Sequence, residues 1–194
     1  MTAIMGPSGS GKSTFMNALI GRVVEGGGKR KVTVKGRRWE GGVELGGGDK
    51  VRAAYVQQTD NLFSQMTVEE TLTMRAMFKF PQLGRRGIGG VVDEVIERMD
   101  LGGCREVKVG GGKVRGVSGG ERKRVSIGMM IMDGPAIVVL DEPTSGLDSF
   151  QANKVVARLR KMREGGTTVA CVIHQPSAKV LNMFDNLILM SGGR

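Results

Sequence analysis

The chain has 194 residues, 40% hydrophobic and 25% charged, a size and mix that fit one globular domain with a core of its own. No apolar run reaches the roughly 18 residues that cross a bilayer, and the N-terminus lacks the basic-then-apolar pattern of a secretory leader, so a soluble or peripherally held chain is expected. Lys and Arg number 29 against 19 Asp and Glu, a formal charge of +10, yet aromatics make up only 4%. That leaves little material for base stacking, and no nucleic acid is expected as a partner. The basic clusters at residues 29–38 and 85–86 read as solvated surface. Cys104 and Cys171 stand far apart in no metal-ligand spacing and read as free thiols of a reducing compartment.

In chain order, TAIM (residues 2–5) reads as a short buried strand and KSTFMNALIGR (12–22) as a helix. Three strand-like pieces follow, KVTVKG (31–36), GGVEL (41–45) and VRAAYVQQ (51–58), separated by glycine turns at 26–28 and 46–48. They suggest short antiparallel strands. TVEETLTMRAMFKF (67–80) opens with Thr67 and Glu70 in capping-box spacing and reads as a helix ended by Pro81. VVDEVIERMDL (91–101) places Val91, Val92, Val95, Ile96 and Met99 on one face, a second amphipathic helix. SGGERKRVSIGMMIM starts a helix near Ser118, with Met129, Met130 and Met132 as core packing. AIVVL (136–140) is apolar on both faces, as befits the middle of a covered parallel sheet. A helix at 149–164, a buried strand TTVACVI (167–173), a short helix SAKVLNMF (177–184) and a last strand NLILM (186–190) complete an α/β order.

Three stretches carry chemistry. GPSGSGKST (6–14) has the spacing of a phosphate-binding loop: glycines let backbone N–H groups turn around an anion, Lys12 reaches terminal phosphates, and Ser13 offers a hydroxyl to Mg²⁺. IVVLDE puts Asp141 and Glu142 at the C-terminal end of a buried strand, where open α/β sheets place ligands. Asp141 is suited to hold Mg²⁺ beside the loop hydroxyl, and Glu142 to orient and deprotonate a water attacking a γ-phosphate. Ser118, Gly119 and Gly120 stand at a helix start whose uncapped N–H groups and dipole favour a second anion. The same three residues are equally a good helix start and nothing more.

Taken together, GPSGSGKST, RGVSGGERKRVSIG (115–128), VVLDEPTSGLDS (138–149) and IHQPS (173–177) resemble, in order and separation, the nucleotide-binding domain of ABC transporters, most of all subfamily G, the White or pigment-precursor type. The resemblance implies an α/β P-loop NTPase fold: a mainly parallel core sheet flanked by helices, a small antiparallel β region and an inserted helical subdomain. On that pattern the core lobe covers about residues 1–58 and 133–194, and the helical subdomain about 59–132. It implies ATP and Mg²⁺ as ligands, with Gly6, Ser8, Gly9, Gly11, Lys12, Ser13 and Thr14 around the phosphates and Ser13, Gln58 and Asp141 toward the metal. Gln58 matches the glutamine that senses Mg²⁺ and the attacking water, and strand alternation lets only one of Gln57 and Gln58 face a site. His174, the only histidine, matches the switch histidine that contacts the γ-phosphate. Residues 145–148 match the D-loop, although Asp148 with Gln151 also makes an ordinary helix cap.

The same resemblance implies two such domains paired head to tail around two ATP molecules, Ser118, Gly119 and Gly120 of one facing the γ-phosphate of the other. It further implies membrane-spanning partners absent from this chain, contacted through the helical segment, and a place at the cytoplasmic face of a membrane. Family members normally begin earlier, with strands and an aromatic that stacks on adenine, and continue beyond the LILMSGGR turn, so a chain truncated at both ends is expected. Trp39 and Tyr55 read as packing on the small β region instead. Met130 stands where subfamily G usually has Glu, and the assignment of Glu142 as base is kept. The alternatives are a soluble ABC-type ATPase of DNA repair or translation, which the +10 charge favours, and a nucleotide-binding fragment without hydrolysis.

Overall fold

The computed structural model describes residues 1–21, 38–40, 43–45 and 52–193, with 38–40 and 43–45 as backbone strands. The expected strand at 31–36, the turns at 26–28 and 46–48, most of the basic cluster at 29–38 and the side chain of Trp39 lie outside the described residues.

Five strands form one parallel sheet: β1 (Thr2–Met5), β4 (Ala53–Val56), β5 (Ile137–Asp141), β6 (Thr168–Val172) and β7 (Asn186–Leu189), in the order β4-β5-β6-β1-β7. Side chains alternate across it. Ala54, Val56, Val138, Leu140, Val169 and Cys171 join the larger core under the helices. Tyr55, Val139, Ala170, Val172 and Ile4 join a smaller core closed by Met16 and Ile20. Both faces are therefore covered at β4, β5 and β6, which is why β5 shows no polar alternation, whereas β7 is exposed along its length. Leu140 is wholly buried.

The strand at 53–56 is not part of an antiparallel β region. It runs parallel to β5, pairing Ala53 with Ile137 through Val56 with Leu140. The glycine-rich stretch before it suggests a short antiparallel strand, but Ala54, Tyr55 and Val56 are all buried, and a strand without a wet face belongs inside a two-sided sheet. The antiparallel pair among the described residues is β2 (Arg38–Glu40) with β3 (Val43–Leu45).

Helices α1 (Lys12–Leu19), α2 (Val68–Lys79), α3 (Arg85–Met99), α4 (Gly119–Ile131), α5 (Ser149–Glu164) and α6 (Ala178–Leu181) complete the chain. Thr67 caps α2 through the full capping box, its hydroxyl accepting from the Glu70 amide at 3.1 Å and its own amide donating to the Glu70 carboxylate at 2.8 Å. Helix α3 starts six residues earlier than the apolar run suggests. Gly87, Gly89 and Gly90 each cost about 1 kcal/mol relative to Ala in a helix, but Ile88 is buried and extends the stripe of Val92, Val95, Ile96 and Met99. Packing of that stripe against α2 and α4 offsets the propensity. Arg105 ties the same region together, donating to Glu69 of α2 at 2.5 Å and to Asp93 of α3 at 2.7 Å. The hydrogen bond from Arg105 holds the Glu69 carboxyl below its usual range.

Candidate functional site

The loop after β1 takes its form from three glycines and a lysine. A Cβ on Gly6 would stand 2.2 Å from the Met190 carbonyl oxygen, so any larger residue must move backbone. Gly9 and Gly11 have φ of +78° and +91°, conformations that side chains disfavour. Gly11 is also the N-cap of α1 and supplies no side-chain cap, so the first amides of α1 face the loop. The Lys12 ammonium curls into this loop, donating to the carbonyls of Gly6 at 2.9 Å and Pro7 at 2.8 Å and lying 3.5 Å from the Ser10 hydroxyl. Ser8, Ser13 and Thr14 are exposed, while Ser10, not singled out by the sequence, is buried.

Strand ends bring the carboxylates to the loop. Asp141 closes β5, and its Oδ2 accepts from the Ser13 hydroxyl and from the Tyr55 hydroxyl, both at 2.9 Å. Tyr55 packs in the smaller core of the main sheet, and its polar tip positions Asp141. A tyrosine three residues before Gln58 was the available signal, but nothing local says which carboxylate it meets. Tyr55→Phe keeps the ring and removes one donor to a charged acceptor. It is expected to lower stability by about 1–2 kcal/mol, read as a reduced urea midpoint; an unchanged midpoint would mean the bond contributes nothing.

One residue further, Glu142 turns out of the strand with φ of +48°, its amide held by the Val172 carbonyl at 3.1 Å. Such a backbone is uncommon for a side-chain-bearing residue and is often found where a site dictates it. The Gln58 side-chain amide donates to Glu142 Oε2 at 2.7 Å, and His174 Nε2 lies 3.4 Å from Oε1. Gln58, Glu142 and His174 follow β4, β5 and β6, so three adjacent strands deliver them to one edge of the sheet. A polar cleft of about 320 Å³ opens beside Glu142 and His174, bounded by residues 144–147 and 175–177.

Ser118, Gly119 and Gly120 form a second cluster at the start of α4. The start is capped rather than open: the Ser118 hydroxyl accepts from the Glu121 amide at 3.3 Å, and the Ser118 amide and hydroxyl both donate to the Glu121 carboxylate at 2.8 Å. Burial would raise that carboxyl, but the two Ser118 bonds and nearby Arg124 and Lys154 outweigh it and hold Glu121 below its usual range. A Cβ on Gly120 would lie 2.3 Å from Gln151 Oε1, so glycine there lets α4 seat against α5. Asp148 caps α5, accepting from the Gln151 amide at 2.8 Å. The sequence-chosen residues therefore fall into two groups: the loop with Gln58, Asp141, Glu142 and His174, and the α4 start with Asp148.

Comparison with known proteins gives the constellation a family. A model described as ABC transporter matches residues 1–145. ABC transporter G family member STR2 of Medicago truncatula is 42% identical over 100% of this chain, and G family members 14 and 13 of Arabidopsis thaliana are 42% and 45% identical over 98%. The chain spans 26%, 28% and 27% of the length of those three relatives. A solved structure, the dimeric post-hydrolysis state of the ATP-binding cassette MJ0796 bound to ADP and Pi, matches with a TM-score of 0.72 at 25% identity, covering 100% of this chain and 82% of that one. With the family match running from the phosphate loop through both strand-end carboxylates, and with relatives this similar along nearly all of its length, the chain belongs to the ABC transporter family.

Proposed function

We propose that this chain is the ATP-binding and ATP-hydrolysing domain of a membrane transporter, acting as a head-to-tail pair with a second such domain at the cytoplasmic face of a membrane. The observation that carries the reading is the convergence of the Lys12 loop, the Ser13–Asp141 contact at 2.9 Å and the Gln58–Glu142–His174 cluster on one edge of the sheet. Gly6, Ser8, Gly9, Gly11 and Thr14 cradle the phosphates, and Lys12 supplies the countercharge. Glu142 takes the proton of the attacking water, with Gln58 orienting both the carboxylate and that water and His174 facing the γ-phosphate.

The residues present fit Mg²⁺. The Ser13 hydroxyl and the Asp141 carboxylate already meet, and with the Gln58 side-chain oxygen they would make an all-oxygen set of the kind that holds this ion together with substrate phosphates. Bound there, the ion would neutralise charge on the phosphates.

Pairing is supported by the dimeric, ADP-and-Pi-bound cassette that this fold matches, and by the second cluster, where Ser118, Gly119, Gly120 and Asp148 would face the partner's nucleotide. Transport is supported by the names of the G family relatives. Among the described residues no helix is long and apolar enough to cross a membrane, so membrane-spanning segments are a partner function or lie elsewhere in the protein. We assign residues 59–132 to the helical subdomain that meets them. Its exposed Met77 and Phe78, beside an apolar groove along α2, suit that contact.

Sedimentation of the purified Glu142→Gln chain with and without MgATP tests the proposal. A shift from monomer to dimer on adding MgATP is expected. ATP binding without any shift would overturn the pairing, and no binding at all would overturn the nucleotide site.

A further inference from the structure

Tyr55 is the one tyrosine of the chain, and it is 8% exposed in the core it shares with Met16, Val139 and Ala170. A phenylalanine would fill that space as well. Burying the hydroxyl costs free energy unless it finds a partner, and the partner it finds is Oδ2 of Asp141 at 2.9 Å. Strand register explains the meeting. Tyr55 lies opposite Val139 on β5, and Asp141, two residues further along that strand, shares the face of Val139.

The Ser13 hydroxyl donates to the same oxygen, also at 2.9 Å, so neither bond uses Oδ1. A hydroxyl has one hydrogen and two lone pairs. With its hydrogen committed to Asp141, Ser13 keeps both lone pairs for a cation, and the direction they face depends on where the carboxylate stands. Ser13 is exposed at the start of α1 and Asp141 is partly buried. A carboxylate turns easily about its last side-chain torsion. Of the three side chains, Tyr55 is the one fixed by packing, so it is the part that can hold the other two.

We propose that Tyr55 is a positioning residue for the cation site: its hydroxyl holds the Asp141 carboxylate, and through it the Ser13 hydroxyl, in the orientation that accepts Mg²⁺ on a bound nucleotide. The proposal rests on the nucleotide-site reading above and gives a residue outside the ligand set a share in the affinity for the ion. Hydrogen bonds to the side chains that ligate a metal commonly change its affinity by about 10- to 100-fold. Tyr55 touches neither phosphate nor ion in this role, so nucleotide binding without Mg²⁺ does not depend on it.

Calorimetric titration of ATP onto the Glu142→Gln chain, and onto the same chain carrying Tyr55→Phe, each in Mg²⁺ and in EDTA, tests the proposal. Within one chain the ratio of the two affinities reads the hold on the ion, because the contribution of ATP alone cancels. In EDTA, Tyr55→Phe is expected to bind ATP within about twofold of the parent, while its ratio falls by about 10-fold or more. Val139→Ala hollows the same core beside Tyr55 and keeps both hydroxyls. It is expected to lower the urea midpoint at least as far as Tyr55→Phe does, yet to leave the ratio within about twofold of the parent. A Tyr55→Phe ratio equal to the parent's overturns the proposal. So does a Val139→Ala ratio that falls as far, since loosening of the sheet would then account for the loss. Absence of ATP binding by the parent in both conditions overturns the nucleotide-site reading itself, and the proposal with it.

Discussion

Replacing Glu142 by Gln is expected to slow ATP hydrolysis by about 100- to 10,000-fold, the usual contribution of a positioned general base, while nucleotide binding stays within about twofold. The substitution is nearly isosteric. Its carbonyl oxygen still accepts from the Gln58 amide that meets Glu142 at 2.7 Å, and glutamine tolerates the φ of +48° no worse than glutamate does. What disappears is the basic oxygen beside His174 Nε2, and with it the acceptor for the proton of water. Single-turnover release of phosphate, measured beside equilibrium binding of ATP, separates the two quantities. Equal turnover in parent and variant would remove Glu142 from the role of base.

Lys12→Ala is expected to weaken ATP binding by about 10- to 100-fold, corresponding to about 1.5–3 kcal/mol for a lost charge-assisted hydrogen bond. Lys12 is 6% exposed, and its ammonium is aimed into the loop by the Gly6 and Pro7 carbonyls. Without it the phosphates lose the loop's countercharge, and the two carbonyls lose their donor. Lys12→Arg is expected to recover little, because a planar fork does not fill a space shaped for a compact ammonium. Titration with ATP by calorimetry reads both variants. Unchanged affinity in Lys12→Ala would mean that phosphates bind somewhere other than this loop.

Much of the architecture was legible in short stretches of sequence, because it depends on spacings of a few residues. Thr67 and Glu70 announce α2 through a capping box that spans one turn. IVVL announces an interior strand by its unbroken hydrophobicity, and GPSGSGKST announces a loop through glycines whose backbone angles no other residue adopts cheaply. Which residues can do chemistry was therefore plain: Lys12, Ser13, Asp141 and Glu142 are chemically apt wherever the chain goes. Only the tertiary structure decided which of them meet. Ser13 reaches Asp141 across 128 residues, Tyr55 across 86 and Gln58 reaches Glu142 across 84. No local period encodes such distances; they follow from which strands lie side by side. The parallel seating of β4 against β5, which the glycine-rich sequence before β4 does not suggest, delivers Tyr55 and Gln58 to the carboxylates. Lys123 is of the same kind: within a run of charges its side chain is 4% exposed and its ammonium meets Asp60 at 2.7 Å, because a lysine is solvated or clamped according to what packs over it rather than by its neighbours in the chain.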